Sequence, residues 1–311
     1  MRPLLRSLLA LLATLPTLRA EWEEVELGGK SYVTARSVAS FYRFEPVKVE
    51  ENAVVLSNRQ VSCRLPLEGR FADLNGLRVD IEEPVKRHGD RFLVTRLTLV
   101  KTLDPLLRPA RFGLGRSLRT LVVHPDPDSG DLAPAFARLL ADPARWEPLK
   151  LEVRPVPEAL REAPADRVLG ELNPQRDVHF ILVRATLADE PGVRSRVLAP
   201  VGVAGFGNTL QPAHQRKLAG NAVDSVSLTL AAAVHGSILT GARLPDRGLL
   251  RSRDPWLKGC RHPSLILELQ LPRGAEKGRR AEPFVEAVSE AVVEGIRRYV
   301  DATQPRTGDP D

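Results

Sequence analysis

The stretch HPSLILELQLPRG, residues 262 to 274, sets one carboxylate, Glu268, inside an apolar run of the kind that forms a buried strand. A lone carboxylate in a low-dielectric interior is costly, so it protonates, lies beside a cation or metal, or sits at the exposed end of its strand. Acid/base transfer and charge pairing are the chemistries open to it. A second candidate is VVHPDPDSGD, where His124, Asp126 and Asp128 offer donor types that zinc accepts. The same residues also read as a proline-rich turn in which Asp128, Ser129 or Asp131 caps the helix that follows. Asp246, Arg247 and Gly248 either line a groove or make a turn held by an Asp–Arg pair. His179 reads as a hydrogen-bonded core histidine near a strand start, and His235 as a packed residue on an apolar helix. No Gly-x-Ser-x-Gly elbow, Walker loop or His-Glu-x-x-His helix occurs, and GVAGFGNT lacks the context of a dinucleotide loop.

These residues are carried by an alternation of buried strands and amphipathic helices. RTLVVHP, LKLEVRPV, VHFILVRAT and SLILELQL read as strands, while DLAPAFARLLAD, DRVLGELN, the long NAVDSVSLTLAAAVHGSILTGA and EPFVEAVSEAVVEGIRRYV read as helices. The pattern predicts an α/β fold, an open and mostly parallel sheet with helices on both faces, whose site lies beyond the carboxyl ends of its strands. Before it, residues 21–107 show short alternating runs with turn signals at Gly28-Gly29 and Asn75-Gly76, and one helix that Thr34 or Ser37 can cap. They predict a small N-terminal α+β domain, with 108–119 as a linker, 120–301 as the α/β domain and 302–311 as a disordered tail.

Residues 1–20, with Arg2 and Arg6 ahead of a short apolar stretch and Leu18-Arg19-Ala20 at its end, have the layout of a signal peptide. Export to a periplasm or the cell exterior follows, with no stable membrane anchor after cleavage. Removal of Arg2, Arg6 and Arg19 leaves 42 basic residues against 39 acidic ones. That small excess argues against a nucleic-acid partner. Cys63 and Cys260 fall in different predicted domains and read as buried free thiols.

The block GNAVDSVSLTLAAAVHGSILTGARLPDRGLLRSRDPWLKGCRHPSLILEL resembles the zinc-dependent N-acetylmuramoyl-L-alanine amidases, exported hydrolases that cut glycan from stem peptide in bacterial cell wall. The resemblance lies in the Gly-Asn-x-x-Asp helix start, the Val-His of the helix, Asp246-Arg247-Gly248 and the Pro-x-hydrophobic strand that ends in Glu268, and it spans about residues 118 to 300. It implies that Glu268 occupies the catalytic acid/base position. Residues 21–107 are similar in pattern to the copper amine oxidase N-terminal type of stalk domain, with no copper site implied.

The resemblance also implies a zinc ion held by two histidines and a glutamate, and here the sequence departs from it. Asp128 stands near the place of the first histidine, the loop with the glutamate is missing, and Leu182-Val183-Arg184-Ala185-Thr186 replaces the motif of the second. A guanidinium has no lone pair for a metal. The expectation is therefore a degenerate member without a cofactor, in which Arg184 takes over the ion's charge and pairs with Glu268. Its partner would be peptidoglycan or another cell-wall protein. Two alternatives remain open: an active amidase with zinc in a rearranged site at His124, Asp126 and Asp128, and a structural or interaction module of the envelope.

Overall fold

The computed structural model of the chain describes residues 22–113, 118–273 and 282–303. The expected signal peptide and most of the expected tail lie outside the described residues. The N-terminal region holds β1 (Glu24–Leu27), β2 (Lys30–Thr34), α1 (Ala35–Phe41), β3 (Lys48–Glu50), β4 (Ala53–Ser57), β5 (Ser62–Pro66), β6 (Phe71–Leu74), β7 (Leu77–Asp80), β8 (Lys86–His88) and β9 (Arg91–Thr95). Both anticipated two-residue hairpins form: Leu27 faces Lys30 and Leu74 faces Leu77. Gly28, Gly29, Asn75 and Gly76 all have positive φ, as a primed turn requires. The Thr34 hydroxyl caps α1 by accepting from the Ser37 amide at 3.2 Å.

The C-terminal region contains β10 (Thr120–Pro125), α2 (Leu132–Leu140), β11 (Glu152–Pro155), α3 (Ala165–Leu172), β12 (Val178–Ala188), β13 (Gly192–Leu198), α4 (Asp224–Gly241), β14 (Asp246–Ser252), α5 (Pro255–Gly259), β15 (Ser264–Pro272) and α6 (Glu282–Thr303). Its strands lie in the order β11-β10-β12-β15-β13-β14. All neighbouring pairs are parallel except β13 with β15. Helices cover both faces, so the central strands are buried on both sides and read as nearly continuous apolar runs. Leu121, Val123, Ile181, Val183, Leu265 and Leu267 pack toward α2, α4 and α6. Val122, Phe180, Leu182 and Ile266 point the other way, toward α3 and α5. Gly295 of α6 admits a close helix approach, since a Cβ there would lie 2.6 Å from the Val234 Cα of α4.

The N-terminal region has its own core and a four-stranded sheet, β1-β2-β9-β8. The remaining five strands extend the C-terminal sheet, β7 pairing parallel with β14 through Val79 and Leu249. Contact between the two regions is thus a sheet joint as well as the connector at 108–119, of which Ala110–Gly113 is helical. Arg251 fastens the joint. Its buried guanidinium reaches Glu82 at 3.2 Å and Thr102 Oγ1 at 2.9 Å, and its amide donates to Asp80 at 3.1 Å. Among the described residues no single helix is long and apolar enough to cross a membrane.

Candidate functional site

The face of the sheet that carries α3 and α5 becomes polar toward the carboxyl ends of β10, β12 and β15. Along β12 the apolar Phe180 and Leu182 are followed on the same side by Arg184, and along β15 Ile266 is followed by Glu268, because strand side chains alternate with a period of two. Arg184 stands opposite Glu268 in the register. On the other flank of β15, antiparallel β13 sets Arg194 opposite Glu268 and Arg196 opposite Ile266. The Asp126 amide donates to Val183 O at 2.8 Å just past β10, and Asp254 caps α5 by accepting from the Trp256 amide at 3.0 Å.

Three carboxylates and three guanidiniums meet there. The Arg196 fork holds Glu268, Nε at 2.6 Å from Oε1 and Nη2 at 3.2 Å from Oε2. Arg194 Nη1 adds a longer bond to Oε2 at 3.4 Å. Arg184 comes within 3.7 Å of Glu268 Oε1, but its closer contacts lie elsewhere: a hydrogen bond from Nε to Asp126 at 2.6 Å and an ion pair of Nη1 with Asp254 at 3.1 Å. Burial works against the charge on Arg184, and the Asp126 and Asp254 carboxylates outweigh it, so the guanidinium is held protonated more firmly than usual. The expected Arg184–Glu268 pair is therefore one of charge, at 3.7 Å, and not of hydrogen bonding. Arg184 is close enough for attraction, whereas the bonding partner of Glu268 is Arg196. Asp254, Arg194 and Arg196 lie outside the residues to which the sequence points, and the two arginines belong to β13, which is harder to see than its neighbours. Its signal is the sequence VRSRV, in which Val193, Ser195 and Val197 are buried and the arginines face the site.

The other candidates have separate settings. His124 shares the site face but lies deeper, edge-on to Trp256 with ring centroids 4.7 Å apart, and both ring nitrogens lack a hydrogen-bond partner among the described residues. Burial lowers its pKa to about 4, with Asp126 opposing and Arg161 assisting. Asp131 holds the N-cap position of α2 but makes no side-chain cap bond, and Asp126 caps the turn Pro127–Ser129, accepting from the Asp128 amide at 3.0 Å. Asp128 is exposed. His235 bridges Ser195 Oγ at 2.9 Å and Asp246 Oδ1 at 3.0 Å, and His179 contacts the Tyr299 hydroxyl at 2.8 Å. Asp246 also accepts from the Arg78 and Gly248 amides. Arg247 pairs with Glu190 at 2.8 Å instead of with Asp246, so the Asp–Arg turn is corrected to two separate contacts. Cys63 and Cys260 are both free and buried.

A structural or catalytic zinc requires three or four converging protein donors. Among the described residues no group of three or more His, Cys, Asp or Glu side chains is placed to hold an ion. The trio of the rearranged site shows why: His124 is buried against Trp256, Asp126 is bonded to Arg184, and Asp128 faces outward. The donor set does not fit zinc.

No family model matches the chain, and no curated protein matches it. Solved structures similar to it include the catalytic domain of CwlV, an N-acetylmuramoyl-L-alanine amidase from Bacillus (Paenibacillus) polymyxa var. colistinus, at 17% identity and a TM-score of 0.44, covering 60% of this chain and 99% of that one. N-acetylmuramoyl-L-alanine amidase from Clostridium difficile 630 is similar at 15% identity and a TM-score of 0.43, over 60% and 98% of the two chains. The amidase AmiC2 of Nostoc punctiforme is 19% identical with a TM-score of 0.39, over 60% and 99%.

Proposed function

We propose that this is an exported wall-binding protein of amidase type, which engages bacterial peptidoglycan through the arginine–carboxylate face and does not hydrolyse it by zinc chemistry. The observation that carries this reading is the occupancy of Glu268. Its side chain is 15% exposed, and its two oxygens accept from the Arg196 fork and from Arg194. These bonds take up three of the carboxylate's four lone-pair sites and set two cations against it, which disfavours the approach of a metal ion. Arg184, at the place where the sequence resemblance expects a metal-binding histidine, offers only donors.

What remains is a recognition surface. Guanidinium forks match carboxylates in plane and spacing, and the partly exposed Asp254 can accept N–H and O–H donors beside them. A glycan bearing short peptides presents both kinds of group. The test is co-sedimentation of the purified protein with insoluble sacculi, together with its zinc content. Binding with far less than one zinc per chain is the expected outcome; stoichiometric zinc, or no retention on sacculi, would refute the proposal.

A further inference from the structure

We infer that the cavity of about 500 Å³ bounded by Ala188, Asp189, Glu190, Arg194, Arg247 and Gln270 is a subsite for a single carboxylate, of the kind a short peptide carries at its C-terminus. It rests on the proposed wall-binding role only for where such a peptide would come from. The cavity forms where the chain crosses from β12 to β13 past the end of β15. Gln270 lies two residues beyond Glu268 on the same side of its strand, opposite Gly192, and Arg194 stands beside it. Arg247 lies across the start of β13, in space that a Cβ on residue 192 would fill: that atom would be 2.6 Å from the Arg247 Cγ.

The acids of this cavity already have partners and its cations do not have enough. Asp189 pairs with Arg273 at 2.7 Å and Glu190 with Arg247 at 2.8 Å. Arg194 makes a single long bond to Glu268, a carboxylate that the Arg196 fork already holds, so two guanidiniums share one anion. Arg194 and Arg247 each also have a buried Nε with no acceptor among the described residues. A guanidinium has five N–H donors, and the Arg194 and Arg247 side chains, each 31% exposed, have more of them than the neighbouring acids fill, so an arriving carboxylate meets unfilled demand. The size of the charge is set by the rim. Asp189 and Glu190 would repel a phosphate with two charges more than a carboxylate with one, and the Gln270 amide can pair with a peptide unit.

The experiment is a calorimetric titration of the full chain with N-acetyl-alanyl-alanine and with its C-terminal amide. Wild type should bind the acid about tenfold or more tightly than the amide, the difference expected for a charge-assisted pair. Arg194→Gln should remove that preference, Arg194→Lys should retain part of it, and Arg298→Gln on the exposed face of α6 should leave it intact; thermal melts of each variant establish that it folds. Equal affinity for acid and amide, no binding of either, or an Arg194→Gln protein that folds and keeps the preference would overturn the inference. Sacculus binding without acid-over-amide preference removes the subsite and leaves the wall-binding role; preference for the acid without sacculus binding does the reverse.

Discussion

Replacing His124 with phenylalanine should remove about 2 kcal/mol of acid sensitivity from this protein. The imidazole is buried with neither nitrogen hydrogen-bonded among the described residues, and its pKa falls from 6.5 to about 4 in the folded state. The unfolded chain therefore takes up a proton between pH 6.5 and about 4 that the folded chain refuses. Stability from this group is complete above pH 6.5 and declines as pH falls toward 4. The whole shift corresponds to about 3 kcal/mol at 1.36 kcal/mol per pH unit, and about 2 of it is gone at pH 5.0. Asp80 acts in the opposite sense. Burial, partly offset by Arg70 and Arg251, raises its pKa from 3.8 to about 6, so its contribution weakens as pH rises through that window. The two effects overlap, so the informative quantity is a difference: urea unfolding of wild type and His124→Phe at pH 7.5 and 5.0. Wild type should lose about 2 kcal/mol more than the variant over that interval. Equal losses in the two proteins would refute the argument, as would a variant that is the more acid-sensitive.

Three further outcomes follow from packing and charge. Arg251→Ala should cost about 3–5 kcal/mol in denaturant unfolding, because it strands the buried Glu82 at the joint of the two regions, and a loss below about 1 kcal/mol would contradict that role. Cys63 and Cys260, whose pKa values burial pushes up to about 12 and about 11, should not react with a thiol reagent at pH 8 until the protein is unfolded; rapid labelling of native protein would show the burial to be wrong. Gly295→Ala should lower stability by about 1–3 kcal/mol by forcing α6 away from the Val234 backbone, and a neutral or stabilising effect in thermal melts would count against that contact.

The alternation of apolar strands and amphipathic helices makes β10, β12, β15 and the four longer helices legible in the sequence, since each is a sustained run with one dominant period. β13 and β14 are harder to see. Residues 192–198 are short and carry two arginines, and 246–252 begin with the charged pair Asp246-Arg247, so both resemble loop until their buried faces are counted. The site suffers in proportion. An acid in a greasy strand correctly announces that a cation is near Glu268, and Arg184 is indeed within 3.7 Å, but register decides which arginine bonds to it. Antiparallel β13 on the far flank of β15 delivers Arg194 and Arg196, and no local pattern encodes that neighbour. The sheet joint through β14 and β7 is illegible for the same reason: it depends on one long-range pairing, Val79 with Leu249.

Release of dye from labelled sacculi, with zinc supplied and with a chelator added, shows whether this protein cuts the wall or only holds it. The protein should sediment with the sacculi and release no dye above a protein-free control under either condition. Dye release that depends on zinc and stops with the chelator would contradict it.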